Sequence, residues 1–416
     1  MSVLIVDGPR ELHGETKVHG AKNSVLPILA ATVLLKGETV LDSCPRLSDV
    51  EATVKILRYL GFKCIWEGSA LKISGNLKRN EIPHNMMRPL RSSVVFLGAM
   101  IASLGEAKLS FPGGCEIGSR PIDLHLSALR KLGVEISENH GFIICKAPKG
   151  IVGDYITLSF PSVGATENIM LAAAISNGTT VIENAAREPE IIDLANFLNL
   201  CGAKISGQGE STLIIEGVKS LWGCDYKIMP DRIVAATYIL ACMTSGGEIV
   251  LNNSPNQYVL PMLGVFEDAG AKISIYKNSI YIKAPKKPIS PGTIRTMPYP
   301  GFPTDAQPQL MAMATVSKGT TVFVENIFEN RFKHIPELVR LGAKIKAEGR
   351  VAVIEGVDKL SGAFLKAPDL RAGAALVIAG LKAQGTTTIS GVEFIDRGYE
   401  SIERDITALG GKIRRV

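Results

Sequence analysis

Hydrophobic and polar positions divide the chain into helices of two kinds. The stretches SVVFLGAMIASLG (93–105) and ENIMLAAAISNG (167–178) are apolar nearly all round, which predicts buried helices. The stretch EIIDLANFLNLCG (190–202) has one apolar face, which predicts a helix lying outside that core. Short β-rich segments separate them, and strand–turn–strand patterns such as KISGQGESTLIIEG (204–217) follow.

This pattern is repeated six times. A glycine-led strand follows the apolar helix of each copy, beginning at Gly37, Gly105, Gly178, Gly247, Gly319 and Gly385. A second glycine closes the amphipathic helix of each copy, at Gly61, Gly133, Gly202, Gly270, Gly342 and Gly410. Successive strand markers are 66 to 73 residues apart. A fixed period of this kind indicates six copies of one α/β unit.

Length and repetition together predict two domains. A chain of 416 residues is too long for one typical core, whereas three units can bury their apolar helices together beneath surrounding sheets. We expect one domain over residues 20–229 and another over residues 1–19 plus 230–416, with the break at IMPD (228–231). Residues 2–19 precede the first apolar helix, and we expect them to form one strand that completes a unit of the second domain.

The charge of the chain is mildly basic, which fits small anionic molecules as well as nucleic acid. The net charge is +6, hydrophobic residues make up 46% and aromatic residues 6%. The chain has no dense Lys/Arg run and few aromatic residues on which bases could stack. Both features argue against a nucleic-acid partner. The sequence shows neither a signal peptide nor an apolar run of about 18–20 residues, so we expect a cytoplasmic protein without membrane insertion.

The seven cysteines show no CxxC or zinc spacing, which argues against a metal site and for a reducing compartment. Six of them lie in apolar or strand-like contexts and are interpreted as small core residues. The seventh, Cys115, lies in FPGGCEIGSRPIDLH (111–125), the most specific local signal of the chain. Its glycines predict a loop that lets a ligand approach closely. Arg120 would favour a reactive thiolate or hold an anion, although a structural cysteine is the alternative.

Polar residues cluster where the apolar helices begin. These residues are Lys22, Asn23, Arg91, Ser162, Gly164, Asp231, Arg232, Asp305, Asp369 and Arg371. Helix N-termini attract phosphate and carboxylate groups, so we expect three such ends at one face of each domain, enclosing a cleft between facing domains. The alternative for Ser162, Asp231 and Asp369 is that they are ordinary N-caps.

A second group follows the glycine-led strands. Its members are Asp49, Cys115, Arg120, Glu188, Arg331 and Arg397. With the helix starts, these residues form a set rich in basic side chains, which is typical of sites for anionic substrates.

Eight motifs resemble those of the UDP-N-acetylglucosamine 1-carboxyvinyltransferase family. They are GAKNSVLPIL, FPGGCEIGSRPIDLH, SVGATENIM, ENAAREPEI, GFPTDAQ, IFENRF, APDLRAGAAL and DRGYE, which run in order through essentially the whole chain. The resemblance implies an inside-out α/β barrel fold, with six βαβαββ-type units in two three-unit domains and buried apolar helices. It also implies a transferase that opens bacterial peptidoglycan synthesis, and thereby serves cell shape and division.

The implied reaction joins phosphoenolpyruvate to UDP-N-acetylglucosamine and releases phosphate, with no metal or organic cofactor. C3 of phosphoenolpyruvate is protonated, the 3-hydroxyl of the sugar attacks C2, and the tetrahedral intermediate loses phosphate. The resemblance makes Cys115 the general acid, or an aid to phosphate departure, and a site of covalent adduct formation. It makes Asp305 the general base.

The same resemblance assigns the remaining residues. Phosphoenolpyruvate would contact Lys22, Asn23, Arg120, Arg331, Arg371 and Arg397. UDP-N-acetylglucosamine would contact Asn23, Arg91, Arg120, Pro121, Ile122, Asp123, Leu124, Ser162, Val163, Gly164, Asp305 and, through its backbone, Ile327. Supporting residues would be Asp49, His125, Glu188, Asp231, Arg232 and Asp369.

Two positions depart from the pattern of some members, which have lysine where this chain has Phe160 and Ser48. These departures affect nucleotide contacts and remove no catalytic group. Two alternatives remain: a shikimate-3-phosphate enolpyruvyl transferase, which carries Lys-Ser where this chain has Lys22 and Asn23, and a non-catalytic sensor of the sugar nucleotide. The intact acid and base argue against the sensor.

Overall fold

The computed structural model describes residues 2–88, 91–110 and 122–416, with only the backbone of Arg91. Within these residues, contacts divide the chain into two compact units. The first compact unit comprises the described residues of 20–229, and the second comprises residues 2–19 and 230–416. No helix in the described ranges is long and apolar enough to span a membrane.

Helices of the described residues include six apolar ones, and other helices lie between them along the chain. All these helices are α1 (Lys22–Ala31), α2 (Ser48–Leu60), α3 (His84–Met87), α4 (Phe96–Leu104), α5 (Asp123–Lys131), α6 (Val163–Ala173), α7 (Pro189–Leu200), α8 (Arg232–Ser245), α9 (Asn256–Asp268), α10 (Gln307–Ala314), α11 (Ile335–Arg340), α12 (Leu370–Lys382), α13 (Val392–Ile395) and α14 (Ile402–Ala408). The six apolar ones are α1, α4, α6, α8, α10 and α12. Short 3-10 helices cover Thr32–Leu34, Arg91–Val95 and Thr304–Ala306.

Strands are short, as expected for sheets that surround a helical core. They are β1 (Leu4–Gly8), β2 (Leu12–Lys17), β3 (Leu35–Lys36), β4 (Thr39–Asp42), β5 (Phe62–Glu67), β6 (Ala70–Gly75), β7 (Glu81–Ile82), β8 (Glu106–Ser110), β9 (Glu135–Asn139), β10 (Phe142–Lys146), β11 (Tyr155–Thr157), β12 (Thr179–Glu183), β13 (Lys204–Ser206), β14 (Thr212–Glu216), β15 (Leu221–Trp222), β16 (Asp225–Lys227), β17 (Gly247–Asn252), β18 (Lys272–Ile275), β19 (Ser279–Lys283), β20 (Thr293–Arg295), β21 (Thr320–Val324), β22 (Lys344–Glu348), β23 (Val351–Glu355), β24 (Phe364–Lys366), β25 (Gly385–Ser390) and β26 (Ile413–Arg415).

In the residues described, six four-stranded sheets share one topology. In the third sheet, β11 runs parallel to β12, β12 antiparallel to β14, and β14 antiparallel to β13. The six strand orders are β16-β4-β6-β5, β7-β8-β10-β9, β11-β12-β14-β13, β2-β17-β19-β18, β20-β21-β23-β22 and β24-β25-β1-β26. Three units run as βαβαββ along the chain, for example β11, α6, β12, α7, β13 and β14. The other three have the same strand arrangement but take one strand from elsewhere in the chain, namely β16, β2 and β1. The predicted fold class is confirmed.

The prediction of one strand over residues 2–19 is wrong. β1 lies between β25 and β26 and is antiparallel to both, whereas β2 is an edge strand parallel to β17. Pro9, which has no backbone N–H to donate, stands between the two strands. The segment therefore completes two sheets of the second compact unit. In the first compact unit β16 plays the corresponding part by pairing with β4.

Each compact unit has its own core around three apolar helices. In the first, α4 packs against α1 and α6, and in the second α8, α10 and α12 pack against one another. All residues of α8 are buried, which agrees with its apolar pattern.

The predicted position of α7 outside the core is wrong. Most of α7 is buried, including Glu190 and Asp193, because it packs against α1 as well as its own sheet. Glu190 and Asp193 interact with other residues inside the protein, so the polar positions of α7 do not define a solvent-exposed face.

Candidate active site

Charged residues of the second compact unit gather where its apolar helices begin. α8 starts at Arg232, α10 follows the 3-10 turn Thr304–Ala306 that contains Asp305, and α12 starts at Leu370, just before Arg371. Because the three helices pack together, predicted site residues from three repeats come close to one another.

The Asp305 carboxylate forms ion pairs with two guanidinium groups. Its Oδ1 lies 3.0 Å from Nη2 of Arg331, and its Oδ2 lies 3.1 Å from Nη2 and 3.3 Å from Nε of Arg371. The two arginine side chains are only 2% and 3% exposed, whereas that of Asp305 is 26% exposed. The carboxylate is therefore the member of the cluster that solvent or a ligand reaches most readily.

Backbone and side-chain contacts fix Arg331 in place. Its Nε and Nη2 donate to the carbonyl oxygen of Thr304, at 3.2 and 3.0 Å. The hydroxyl of Thr304 donates to Oε2 of Glu325, while Oε1 of Glu325 accepts the backbone N–H groups of Ile327 and Phe328. Since the N–H of Ile327 is engaged by Glu325, its carbonyl is the backbone group left for the predicted ligand contact.

The N-cap interpretation of Ser162, Asp231 and Asp369 is confirmed. Oδ1 of Asp231 accepts the backbone N–H groups of Ile233 and Val234, and Oδ1 of Asp369 caps α12 in the same way. The Ser162 hydroxyl accepts the backbone N–H of Ala165, three residues on. Such caps satisfy backbone donors that the helix itself leaves unpaired.

Asp231 also acts on the charge of Arg371. Burial would lower the pKa of Arg371, but the negative charges of Asp305 and Asp231 and the neighbouring Tyr399 outweigh burial and raise it above its ordinary value. The guanidinium therefore stays charged although it is buried.

A buried histidine lies beside this cluster. His334 has no exposed surface, and burial lowers its pKa to about 4, with the positive charge of Arg331 lowering it and the carboxylate of Asp369 opposing the shift. At neutral pH the imidazole is uncharged, so it adds no positive charge to the arginine pair.

The first compact unit holds a buried ion pair at the start of its first apolar helix. Nζ of Lys22, the first residue of α1, lies 2.8 Å from Oδ2 of Asp49 in α2, and their side chains are 11% and 6% exposed. Two predicted site residues are thus brought together across 27 positions of sequence. The carboxylate holds the ammonium at the helix end.

Asp193 in α7 links three further segments. It accepts hydrogen bonds from the hydroxyl of Ser24 in α1, from the hydroxyl of Tyr226 in β16 at 2.6 Å, and from the backbone N–H of Met229 at 3.4 Å. Burial raises its pKa, and the three donors oppose that rise. Asp193 therefore ties the first turn of α1, which begins with Lys22, to the end of the first compact unit.

His125 is held against the start of α6. Its Nδ1 lies 3.0 Å from the side-chain nitrogen of Asn168, whose Oδ1 accepts the backbone N–H of Gly98 at 2.6 Å. A Cβ on Gly164 would lie 3.0 Å from Cε1 of His125, closer than most such contacts, so glycine leaves room for the ring beside the helix.

Three glutamates crowd around the start of α7. Burial raises the pKa of Glu167 well above its ordinary value, and the carboxylates of Glu190 and Glu188 raise it further. Glu167 is thus disposed to be protonated, next to the predicted supporting residue Glu188.

The remaining predicted residues have individual positions. Half-buried side chains in the described part are those of Asn23, Ile122, Leu124, Ser162, Val163, Ile327 and Arg397. Asp123 begins α5 and is exposed, Arg232 is buried 5.7 Å from the Tyr299 ring, and Phe160 and Ser48 are exposed. Cys115, Arg120, Pro121 and the side chain of Arg91 lie outside the described residues.

Sequence reasoning missed the buried polar residues that support these clusters. Asp193 and Asn168 stand out as lone polar residues within apolar helical stretches. Gln309 in α10 is similar, because its amide donates to the hydroxyl of Thr237 in α8 at 3.2 Å. A polar residue in an otherwise apolar helix signals a required partner, and that signal was available in the sequence.

Comparison with known proteins places this fold in one class. Residues 6–406 match the family model described as EPSP synthase (3-phosphoshikimate 1-carboxyvinyltransferase). A crystal structure of an enolpyruvyl transferase from Streptomyces tendae covers 100% of this chain, and the match spans 99% of that chain, at TM-score 0.90 and 24% identity. EPSP synthase from Acinetobacter baumannii matches with the same coverage at TM-score 0.77 and 18% identity. The fold is that of the enolpyruvyl transferases.

Curated relatives narrow the family. UDP-N-acetylglucosamine 1-carboxyvinyltransferase 2 of Caldanaerobacter subterraneus is 51% identical, with 100% of both chains covered. The UDP-N-acetylglucosamine 1-carboxyvinyltransferase of Nitratidesulfovibrio vulgaris is 44% identical over 100% of this chain and 99% of its own. The chain belongs to the UDP-N-acetylglucosamine 1-carboxyvinyltransferases, a family of transferases, as its motifs indicated.

Proposed function

We propose that this protein transfers the enolpyruvyl group of phosphoenolpyruvate to the 3-hydroxyl of UDP-N-acetylglucosamine and releases phosphate. The reaction would be the first committed step of peptidoglycan synthesis in the cytoplasm. Family membership supports the overall activity. The observation that carries the proposed chemistry is the partly exposed Asp305 carboxylate held between the buried guanidinium groups of Arg331 and Arg371.

Asp305 is the proposed general base. An arginine side chain stays protonated and has no lone pair to accept a proton, so within this trio only the carboxylate can take the proton of the sugar 3-hydroxyl. Contacts from opposite sides hold both carboxylate oxygens in position before substrate arrives. A positioned base of this kind contributes roughly 10²–10⁴-fold to rate.

The arginines have a second proposed role. Loss of the hydroxyl proton lets the sugar oxygen attack C2 of phosphoenolpyruvate, whose phosphate and carboxylate keep the reacting centre strongly anionic. Arg331 and Arg371 offer fixed guanidinium donors that match such groups, with little reorganisation because their own side chains are buried. Arg397 from the same compact unit and Asn23 are the further proposed phosphoenolpyruvate contacts.

Lys22 is the proposed contact to phosphoenolpyruvate from the first compact unit, together with Arg120. Asp49 holds the Lys22 ammonium at the N-terminal end of α1, where free backbone N–H groups and the helix dipole also favour an anion. Cys115 is proposed to protonate C3 or to assist phosphate departure.

The sugar nucleotide is proposed to lie along the starts of two helices. Ser162, Val163 and Gly164 begin α6, and residues 122–124 begin α5. His125 joins the two starts, because it belongs to α5 and approaches Gly164 closely. A nucleotide diphosphate is suited to such a place, where helix N-termini present unpaired N–H groups.

Phosphate release tests the proposal. Wild-type protein with phosphoenolpyruvate and UDP-N-acetylglucosamine should release phosphate, and Cys115→Ser and Asp305→Ala should lower kcat by about 10²-fold or more. Asp305→Asn is the matched variant, because it keeps the shape of the side chain and removes the proton acceptor. If Asp305→Asn, shown to be folded by circular dichroism, kept wild-type kcat, Asp305 would not be the base.

Cys115 is also the proposed target of the epoxide fosfomycin. We expect covalent addition of one fosfomycin to Cys115, and loss of phosphate release, after prolonged incubation with the sugar nucleotide present. Intact-protein mass spectrometry measures the adduct, and Cys115→Ser is the control that should not gain it. Full activity after that treatment would contradict the assignment of a reactive thiolate.

A further inference from the structure

Two cysteine thiols of the first compact unit lie in contact. The Sγ atoms of Cys201 and Cys224 are 3.3 Å apart, and both side chains are free thiols. Cys201 is buried and Cys224 is half-buried. This pair could not be predicted from the sequence, because the two residues are 23 positions apart and belong to no metal or redox motif.

The backbone around the pair holds the two residues together. Cys201 is the C-cap of α7, and its carbonyl oxygen accepts the backbone N–H of Trp222 at 2.9 Å. Trp222 ends β15, which pairs with β3, and Cys224 stands immediately before β16, which pairs with β4. The helix α7 on one side, and the paired strands β15 and β16 on the other, therefore set the distance between the two sulfur atoms.

We propose that Cys201 and Cys224 form a reversible dithiol–disulfide site. Hydrogen peroxide is the proposed oxidant: the more accessible Cys224 sulfur attacks one peroxide oxygen, giving a sulfenic acid and water. The Cys201 sulfur then attacks the Cys224 sulfur, forming the disulfide and releasing a second water. The two thiols lose two electrons and two protons, and one peroxide becomes two waters. A small-molecule dithiol reverses the reaction by exchange.

The surroundings make this site slow to react. Burial raises the pKa of both thiols, and for Cys224 the neighbouring Asp225 carboxylate raises it further while the contact with Cys201 opposes the shift. The thiolate is the reacting form, so at neutral pH we expect a peroxide reaction slower than that of an exposed cysteine. Proximity then favours the second step, because the resolving thiol is already in contact.

The disulfide would join the C-terminal end of α7 to the residue just before β16, and a hydrogen bond at Asp193 already connects these two elements. α7 carries Asp193, and β16 carries Tyr226, whose hydroxyl donates to it. Asp193 in turn accepts the hydroxyl of Ser24 in α1. Oxidation therefore stiffens the support of α1 and closes a loop in the unfolded chain, so the thermal midpoint of the oxidised protein should rise by several degrees. This inference is independent of the proposed function.

Peptide mapping of the full-length protein tests the proposal. Trypsin separates the two cysteines, giving peptides 188–204 and 220–227 with one cysteine each. After peroxide treatment and blocking of free thiols, we expect these peptides joined by a disulfide, at the sum of their masses less two hydrogen atoms. Added dithiothreitol should restore the separate peptides and the lower thermal midpoint.

Matched variants keep the test specific. Cys201→Ala and Cys224→Ser should each abolish the joined peptide and the rise in midpoint. Cys64→Ala is the control, since Cys64 is a buried thiol whose pKa burial raises to about 11 and which has no sulfur neighbour among the residues described. It should keep both effects. The proposal fails if the joined peptide is absent from oxidised wild type, or if it links two copies of the chain.

Discussion

At the residue scale, opposite charges hold each other in place among the candidate site residues of each compact unit. Lys22 pairs with Asp49 in one compact unit, and Arg331 and Arg371 pair with Asp305 in the other. Removing one partner of a buried pair leaves a charge without solvent or counter-charge, which costs more than the pair contributes. These residues are therefore coupled to stability as well as to chemistry.

Asp49→Asn should destabilise the first compact unit by about 3 kcal/mol, because it leaves the Lys22 ammonium buried without its counter-charge. Urea unfolding followed by circular dichroism measures the change. The control is Glu67→Gln, which breaks the pair of Lys72 and Glu67, at 2.9 Å but with side chains 34% and 54% exposed. Loss of such an exposed, solvent-screened pair should leave the free energy of unfolding nearly unchanged. Equal losses in the two variants would contradict the account.

His334 should make stability depend on pH. Its folded pKa of about 4 lies below the ordinary 6.5, so protons favour the unfolded state. The free energy of unfolding should be at its full value above pH 6.5 and fall as pH drops toward 4, by about 2–3 kcal/mol at pH 4.5. In His334→Gln, position 334 cannot titrate, so the free energy of unfolding should fall by that much less between pH 6.5 and 4.5. The free energy of unfolding is measured for both proteins from pH 7 to 4.5. An equal dependence on pH in wild type and His334→Gln would contradict this role of His334.

The sequence showed which residues carry charge but not which charges meet. Asp305 and Arg371 are 66 positions apart and come from different repeats, so only the packing of α10 against α12 brings them together. The candidate site residues were chosen from motifs and from their positions at helix starts. Supporting residues such as Asp193 could not be assigned, because the amphipathic pattern of α7 does not show that its polar residues are buried.

At the element scale, the repeats impose the same close approach at equivalent glycines. A Cβ on Gly356, which follows β23, would lie 1.7 Å from the carbonyl oxygen of Ser317. A Cβ on Gly217, which follows β14, would lie 2.0 Å from the carbonyl oxygen of Ser176. Each glycine lets the end of a strand pass directly over the turn that follows an apolar helix.

Gly356→Ala should destabilise the second compact unit by about 3 kcal/mol, since a backbone carbonyl cannot move aside as a flexible side chain can. Gly264→Ala is the matched control: it lies exposed in α9 with nothing near its added Cβ, and should stabilise by roughly 0.5–1 kcal/mol. Thermal unfolding of both variants gives the comparison. A Gly356→Ala midpoint equal to wild type would refute the steric account.

Sequence pattern predicted the repeated elements better than their partners. The six glycine-led strands and the apolar helices follow from periodicity, because each repeat solves the same packing problem. The division of residues 2–19 between two sheets could not be predicted, since a central antiparallel strand and a parallel edge strand show similar short alternating patterns. α7 was misplaced for a related reason: its polar residues are buried against partners from other segments.

At the scale of the whole molecule, each compact unit completes its own sheets and core. The first hydrophobic core lies within residues 25–228, and β16 closes the sheet that begins with β4. The second core includes Leu4, Val6, Leu12 and Val18 from the start of the chain. The described strands of each compact unit thus pair only within that unit, although those of the second come from both ends of the sequence.

Residues 20–229 expressed alone should fold and unfold cooperatively, because every sheet and core partner of that unit is retained. Residues 230–416 alone should not fold, because they lack β1 and β2. Joining 230–416 to 2–19 should restore folding, since Val3 and Val416 exchange backbone hydrogen bonds at 2.8 and 2.9 Å and a short turn can connect them. Circular dichroism during urea unfolding measures all three. Cooperative folding of 230–416 alone would contradict the assigned pairing.

Acceptor-dependent phosphate release is the measurement that tests the central claim most directly. The purified protein is incubated with phosphoenolpyruvate and either UDP-N-acetylglucosamine or shikimate 3-phosphate, and free phosphate and product mass are followed. The account predicts phosphate release with the sugar nucleotide only, matched one for one by its enolpyruvyl product, and a large loss in Asp305→Asn. Release with shikimate 3-phosphate instead, or with neither acceptor, would contradict it.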